Sequence, residues 1–104
     1  MKVHTESVQF KADQKLVDFI DRKVGKLEHF FDRIITADVK LRLENTGKIK
    51  DKIAEVRVDV PGQSLFAKEI NKTFEQSIDE AVANLRRQLT KYKEKMRPQN
   101  AVIR

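Results

Sequence analysis

From Ile35 to Glu44 apolar and polar residues alternate without a fault: Ile35, Ala37, Val39, Leu41 and Leu43 against Thr36, Asp38, Lys40, Arg42 and Glu44. Successive side chains of a strand point to opposite faces, so this period demands one buried and one wet face over residues 34–44. The same period returns from about Ile53 to Val60, with Ala54, Val56, Val58 and Val60 inward and Glu55, Arg57 and Asp59 outward. Asn45-Thr46-Gly47-Lys48 reads as a turn or loop between the two, continued by the basic stretch to Lys52. Pro61-Gly62 then closes a tight hairpin onto a strand from about Ser64 to Ile70. Proline suits the second position of such a turn and glycine the third. Three strands therefore form an antiparallel meander, and its apolar face needs a cover.

Helices supply it. Asp13 is placed to cap a first helix running to about Phe30, with Leu16, Ile20, Val24, Leu27 and Phe31 on one face. Gly25 interrupts that helix at about 1 kcal/mol against alanine. It is placed on the outer face, either simply tolerated there or leaving room for a close partner. Thr73-Phe74-Glu75-Gln76 has a capping-box pattern, Thr73 and Gln76 reciprocating across the first turn. It opens a last helix that runs to about Arg97, with Pro98 as its stop. Ile78, Val82, Leu85, Leu89, Tyr92 and Met96 fall on one stripe of it. Residues 2–10 read as a strand with Val3, Thr5 and Ser7 on one face and Val8 and Phe10 on the other. The order is β-α-β-β-β-α. It predicts an α+β two-layer sandwich, a four-stranded sheet with two helices on one face. The helical crossover predicts that the first strand lies parallel to a neighbour. Residues 1–98 are expected to form a single domain and 99–104 a flexible tail.

Charge is distributed unevenly. Residues 1–85 hold 15 Lys/Arg and 15 Asp/Glu, whereas residues 86–104 hold 7 and one, so the net +6 sits at the end. Arg87, Lys91 and Lys95 form an i, i+4, i+8 ridge on the last helix; Arg86, Lys93 and Arg97 lie on the other flank of its apolar stripe. Cations near a helix C-terminus offset the macrodipole by about 0.3–1 kcal/mol each, which accounts for Lys93, Lys95 and Arg97. It does not account for Arg87 and Lys91. Like charges at i, i+4 cost about 0.2–0.5 kcal/mol per pair, so the ridge strains its own helix unless it meets an anion. On the first helix Lys15, Arg22 and Lys26 share a flank, with Lys23 beside the apolar edge.

No catalytic constellation is legible, and no enzyme, cofactor, metal site or small-molecule substrate is expected. The chain has no cysteine, and His4 and His29 are far apart and form no metal-binding spacing. Both read as exposed polar residues. Ser7, Ser64 and Ser77 lack a nucleophile context, and Gly25, Gly47 and Gly62 are isolated. The acidic residues read as solubilising counter-charges, though a carboxylate pair across two strands stays open. No apolar run approaches a membrane span, and the N-terminal residues have no apolar signal core. The cytoplasm is the expected compartment. Most aromatics fit core positions, and the strand aromatics that stack bases are missing. An RNA partner would be held by helix-borne cations on its phosphates and folded shape.

Lys26-Leu27-Glu28-His29-Phe30-Phe31-Asp32-Arg33-Ile34, Ser77-Ile78-Asp79 and the run from Leu85 to Lys95 resemble the ribosome hibernation-promoting factors, also described as ribosome-associated inhibitors or sigma modulation proteins. The resemblance covers nearly the whole chain and the order of its elements, and the length looks like the family's short form. It implies a binder of the small ribosomal subunit and its rRNA at the messenger and transfer RNA sites. Such a protein blocks translation in stationary or stressed cells. Lys23, Lys26, Arg87, Lys91, Lys93 and Lys95 would face the rRNA, and Arg86 joins them from the flank it shares with Lys93. The free protein is expected to be monomeric. The alternative is a protein-binding regulator of transcription initiation. Where many relatives have an acidic residue and a tyrosine, this chain has Lys72 and Phe74.

Overall fold

The structure is a computed structural model that describes residues 1–44 and 51–96, the last by its backbone alone. The turn at Asn45-Thr46-Gly47-Lys48, the place of Met96 on the stripe, Arg97, the Pro98 stop and the tail 99–104 lie outside the described residues. The elements are β1 (Lys2–Ser7), α1 (Gln14–Gly25), α2 (Leu27–Phe30), β2 (Thr36–Leu43), β3 (Lys52–Val60), β4 (Gln63–Asn71) and α3 (Phe74–Met96). The sheet order is β1-β2-β3-β4, with β1 parallel to β2 and the other pairs antiparallel. The helices cover one face.

Alternation decides what faces them. Ala37, Val39 and Leu41 of β2, the four inward residues of β3, and Leu65 and Ala67 of β4 are buried in one cluster with the apolar sides of α1 and α3. Full burial of a Leu, Ile or Val side chain contributes about 1.5–3 kcal/mol, so this layer holds the fold. At the hairpin Gly62 has φ +87°, the left-handed geometry that a type II turn requires at that position. Val60 pairs with Gln63 across it. The Asp13 side chain accepts from the Leu16 N–H at 2.9 Å, capping α1.

Three expectations need correction. The first helix does not run unbroken to Phe30. It stops at Gly25, turns at Lys26 and restarts as α2. The His29 N–H bonds the Lys26 carbonyl three residues back, at 3.1 Å. A Cβ built at Gly25 meets nothing within 4 Å, so no packing inside the molecule demands glycine there. Its effect is to weaken the helix where the chain must redirect, so that Leu27 stays buried and Phe31 leaves in an extended conformation into the core. Second, Ile35 and Leu43 are 58% and 47% exposed although they share the parity of the buried residues. They sit at the ends of the β2 face, past the region the helices cover, and Ile34 is buried instead. Third, β1 ends at Ser7. Gln9 takes a left-handed φ of 66°, which breaks the alternation and turns Phe10 onto the core, where it stacks on Phe74 at 5.2 Å.

Helix α3 is pinned at both described ends. Thr73 Oγ1 accepts from the Gln76 N–H at 3.1 Å, one half of the expected box; no bond returns from the Gln76 side chain among the described residues. Phe74, stacked on the Phe10 ring, fixes the entry of the helix. Ser77 is fully buried, and its hydroxyl donates to the Lys52 carbonyl at 2.6 Å, tying the first turn to β3. Ile78, Leu85, Leu89 and Tyr92 are buried as the stripe requires, and Val82 packs against them half-buried. Tyr92 meets Phe31 edge-on at 5.4 Å and donates its hydroxyl to the Pro61 carbonyl at 2.5 Å. Among the described residues no helix is long and apolar enough to cross a membrane.

Candidate nucleic-acid interface

With Leu85, Leu89 and Tyr92 facing the sheet, 100° per residue sorts the other side chains of α3 into two flanks and an outer crest. One flank is marked by Asn84 and Gln88. Gln88 Nε2 donates at 2.8 Å to the Phe66 carbonyl of the edge strand β4 and at 2.8 Å to Asn84 Oδ1. Lys91 and Lys95 share this flank, and both are exposed. Arg87 stands on the crest, exposed. Arg86 and Lys93 lie on the opposite flank, toward α1 and α2.

That second flank borders a cleft of about 690 Å³ between the two helical arms, lined by Lys23, Lys26, Phe30, Asp79, Val82 and Arg86 among others. Phe30 is the aromatic residue in its lining. The Arg86 guanidinium lies 5.4 Å from the ring centroid and Lys93 Nζ 4.9 Å. Lys93 Nζ also donates to the Phe30 carbonyl at 3.2 Å. A cation held over a ring contributes about 0.5–1 kcal/mol at an exposed site, enough to orient a side chain without neutralising it. Lys23 pairs with Asp79 at 3.4 Å and lies 5.6 Å from the Phe19 ring centroid. Lys26 is exposed at the cleft's rim.

The seven predicted cations are thus not one surface. Lys23, Lys26, Arg86 and Lys93 gather at the cleft; Lys91 and Lys95 sit across the helix, with Arg87 between. Among the described residues only Lys23 of the seven meets a carboxylate within ion-pair distance. The ridge is neither tucked inward nor neutralised there.

Phe30 and Asp79 have positions that helical periodicity did not reveal. A signal existed for Phe30. Adjacent residues on a helix are 100° apart, so Phe30 and Phe31 cannot share one face. Phe31 took the core. The Ser77-Ile78-Asp79 run divides its work: Ser77 ties α3 to β3, Ile78 is core, and Asp79 holds Lys23.

On the sheet's other face three carboxylates meet cations or hydroxyls. Asp38 pairs with Arg57 at 3.2 Å, and Glu55 pairs with Arg42. Asp59 accepts from Ser64 Oγ at 2.6 Å and Thr36 Oγ1 at 2.9 Å. Those two bonds, with help from the Arg57 charge, hold the Asp59 carboxyl below its usual 3.8 despite partial burial. Register places Glu6, Lys40, Glu55 and Lys68 in one row of alternating sign. His4, Asp38, Arg57 and Phe66 make the next, with Phe66 51% exposed.

Comparison with known proteins places this geometry in context. A family model described as sigma 54 modulation protein / S30EA ribosomal protein matches residues 3–97. The ribosome hibernation promotion factor of Bacillus subtilis is 35% identical over 96 residues, which is 92% of this chain and 50% of that protein. The ribosome hibernation promoting factor of Azotobacter vinelandii is 34% identical over 95 residues, 91% of this chain and 85% of that one. The chain therefore spans half the length of the Bacillus relative. Among solved structures, a ribosomal subunit interface protein from Coxiella burnetii has the same fold, with TM-score 0.80 at 21% identity over 90% of this chain and 99% of that one. The N-terminal domain of Thermus thermophilus Protein Y gives 0.70 at 26% identity, over 88% and 94%.

Proposed function

This chain belongs to the sigma 54 modulation protein / S30EA ribosomal protein family, and on that premise we propose that it is a ribosome hibernation factor acting in the cytoplasm. In this reading it binds the small subunit through rRNA phosphates. It occupies the sites that messenger and transfer RNA would take, and so inhibits translation in stationary or stressed cells. One observation carries the reading: Arg87, Lys91 and Lys95 are exposed on one helix with no carboxylate within ion-pair distance among the described residues. Their mutual repulsion is relieved by a polyanion, whose condensed counterions are released on contact. The relatives' names support the ribosome as the partner.

A sucrose gradient of stationary-phase lysate, probed for this chain, tests the reading. The chain should travel with small subunits at low salt and stay at the top at high salt. Its absence from ribosomal fractions at low salt would refute the reading. The second reading, a protein-binding regulator of transcription initiation, draws on the exposed Phe66 amid the polar sheet face. Recovery of polymerase subunits and no rRNA in a pull-down would favour it.

A further inference from the structure

We infer that the cleft at Phe30 is a site for a single nucleotide unit, its base lying on the Phe30–Arg86 platform and its phosphate held by Lys26 and Arg86. The inference deepens the RNA-binding reading and rests on it for its biological setting. Its argument is the mixed chemistry of the cleft. The volume, about 690 Å³, lies in the range of about 300–1,000 Å³ typical of small-ligand sites. Its lining combines apolar Leu27, Val82 and Ala83 with cationic Lys23, Lys26 and Arg86. A bare phosphate would satisfy the cations and leave the apolar lining wet. An aliphatic anion would cover the apolar lining but bring no flat face to the Phe30 ring. A nucleotide has a flat ring, an N–H edge and a phosphate together.

The platform is already assembled. Phe30 is half-buried, so its ring is fixed by the fold yet open to the cleft. Arg86 sits over it at 5.4 Å, presenting a second planar surface of the kind on which bases stack. Lys93 holds α2 to α3 through the Phe30 carbonyl, which keeps the two walls in register. Asp79 is the carboxylate lining the cleft; it steadies Lys23 at 3.4 Å and offers an acceptor to an exocyclic amine. The cations do not merely coat a helix. Two of them, Arg86 and Lys93, lie over a ring that packs against the core yet stays half-exposed to the cleft.

The test is a nuclear magnetic resonance titration of the full chain with AMP, and separately with ribose 5-phosphate, which has the charge without the base. AMP should shift Leu27, Phe30, Val82, Ala83 and Arg86 and bind about tenfold tighter than ribose 5-phosphate, the difference being base stacking. Equal affinity, or shifts spread over Lys91 and Lys95 instead, would overturn the inference. Phe30→Leu should erase the preference for AMP; the comparison of the two ligands on the unmodified chain stands even if that variant folds poorly. A second arm identifies the source. If RNA supplies the nucleotide, a short single strand binds more tightly than AMP and loses that gain when its central base is removed. If the source is free nucleotide, AMP binds as tightly as the strand. The charge-reversed variant K91E/K95E, altered only on the far flank of α3, should still bind AMP. Failure of the cleft is thereby distinguished from failure of the ribosome reading.

Discussion

The salt dependence of small-subunit binding can be set from the side-chain geometry. Of the seven predicted cations, Lys23 is paired with Asp79, and Lys93 is committed to the Phe30 carbonyl and ring. Lys26, Arg86, Arg87, Lys91 and Lys95 remain exposed and available. Each phosphate neutralised contributes about −0.7 to −0.9 to the slope of log K against log salt, so about five contacts give a slope near −4. Between about 50 and 200 mM salt that is a loss of roughly two to three decades in affinity. Replacing Arg87, Lys91 and Lys95 together with glutamine leaves two of the five and should bring the slope to about −1.6. Replacing Lys23 with glutamine should change it much less, because that charge is already answered inside the molecule. The assay is fluorescence anisotropy of labelled protein with purified small subunits over a salt series. A slope unmoved by the triple neutralisation, or moved as much by Lys23→Gln as by Lys91→Gln, would refute the assignment of these residues to phosphate contacts.

Three further outcomes follow from the packing. Ser77→Ala should destabilise the fold by about 1–3 kcal/mol in urea unfolding, because the partly buried Lys52 carbonyl loses its donor from α3. Thr5 Oγ1 is buried and has no hydrogen-bond partner among the described residues, so the isosteric Thr5→Val should stabilise by about 1 kcal/mol; a loss of stability would mean the hydroxyl is satisfied in solution. The Asp59 carboxyl titrates below its usual 3.8 in the folded chain, so its contribution is complete above that value and is lost as pH falls through the lowered one. Asp59→Asn should therefore flatten the acid limb of melting temperature against pH, and an unchanged acid limb would contradict the Thr36 and Ser64 bonds.

The sheet was legible because its period is local. Residues from Ala37 to Leu41 and from Ala54 to Val60 point as alternation requires, and Pro61-Gly62 turns as its residue types allow. That β1 lies parallel to a neighbour followed from its helical crossover; the structure makes that neighbour β2. Alternation tells which way a side chain points but not whether anything covers it, and Ile35 and Leu43 were misplaced for that reason. The break at Gly25 was hidden because one glycine costs little against the burial of Leu27 and Phe31, which tertiary packing decides. For the candidate site, the exposed ridge of Arg87, Lys91 and Lys95 was readable from spacing on α3 alone. The separate grouping of Lys23, Lys26, Arg86 and Lys93 was not. It depends on where α2 docks, and that is set by Phe30 and Phe31 parting company.

Co-sedimentation of the purified chain with small subunits, wild type against R87E/K91E/K95E, tests the central claim most directly. With circular dichroism confirming an intact fold, wild type should pellet with the subunits and the charge-reversed chain should remain in the supernatant. Equal pelleting of the two would mean that the crest of α3 does not hold the ribosome.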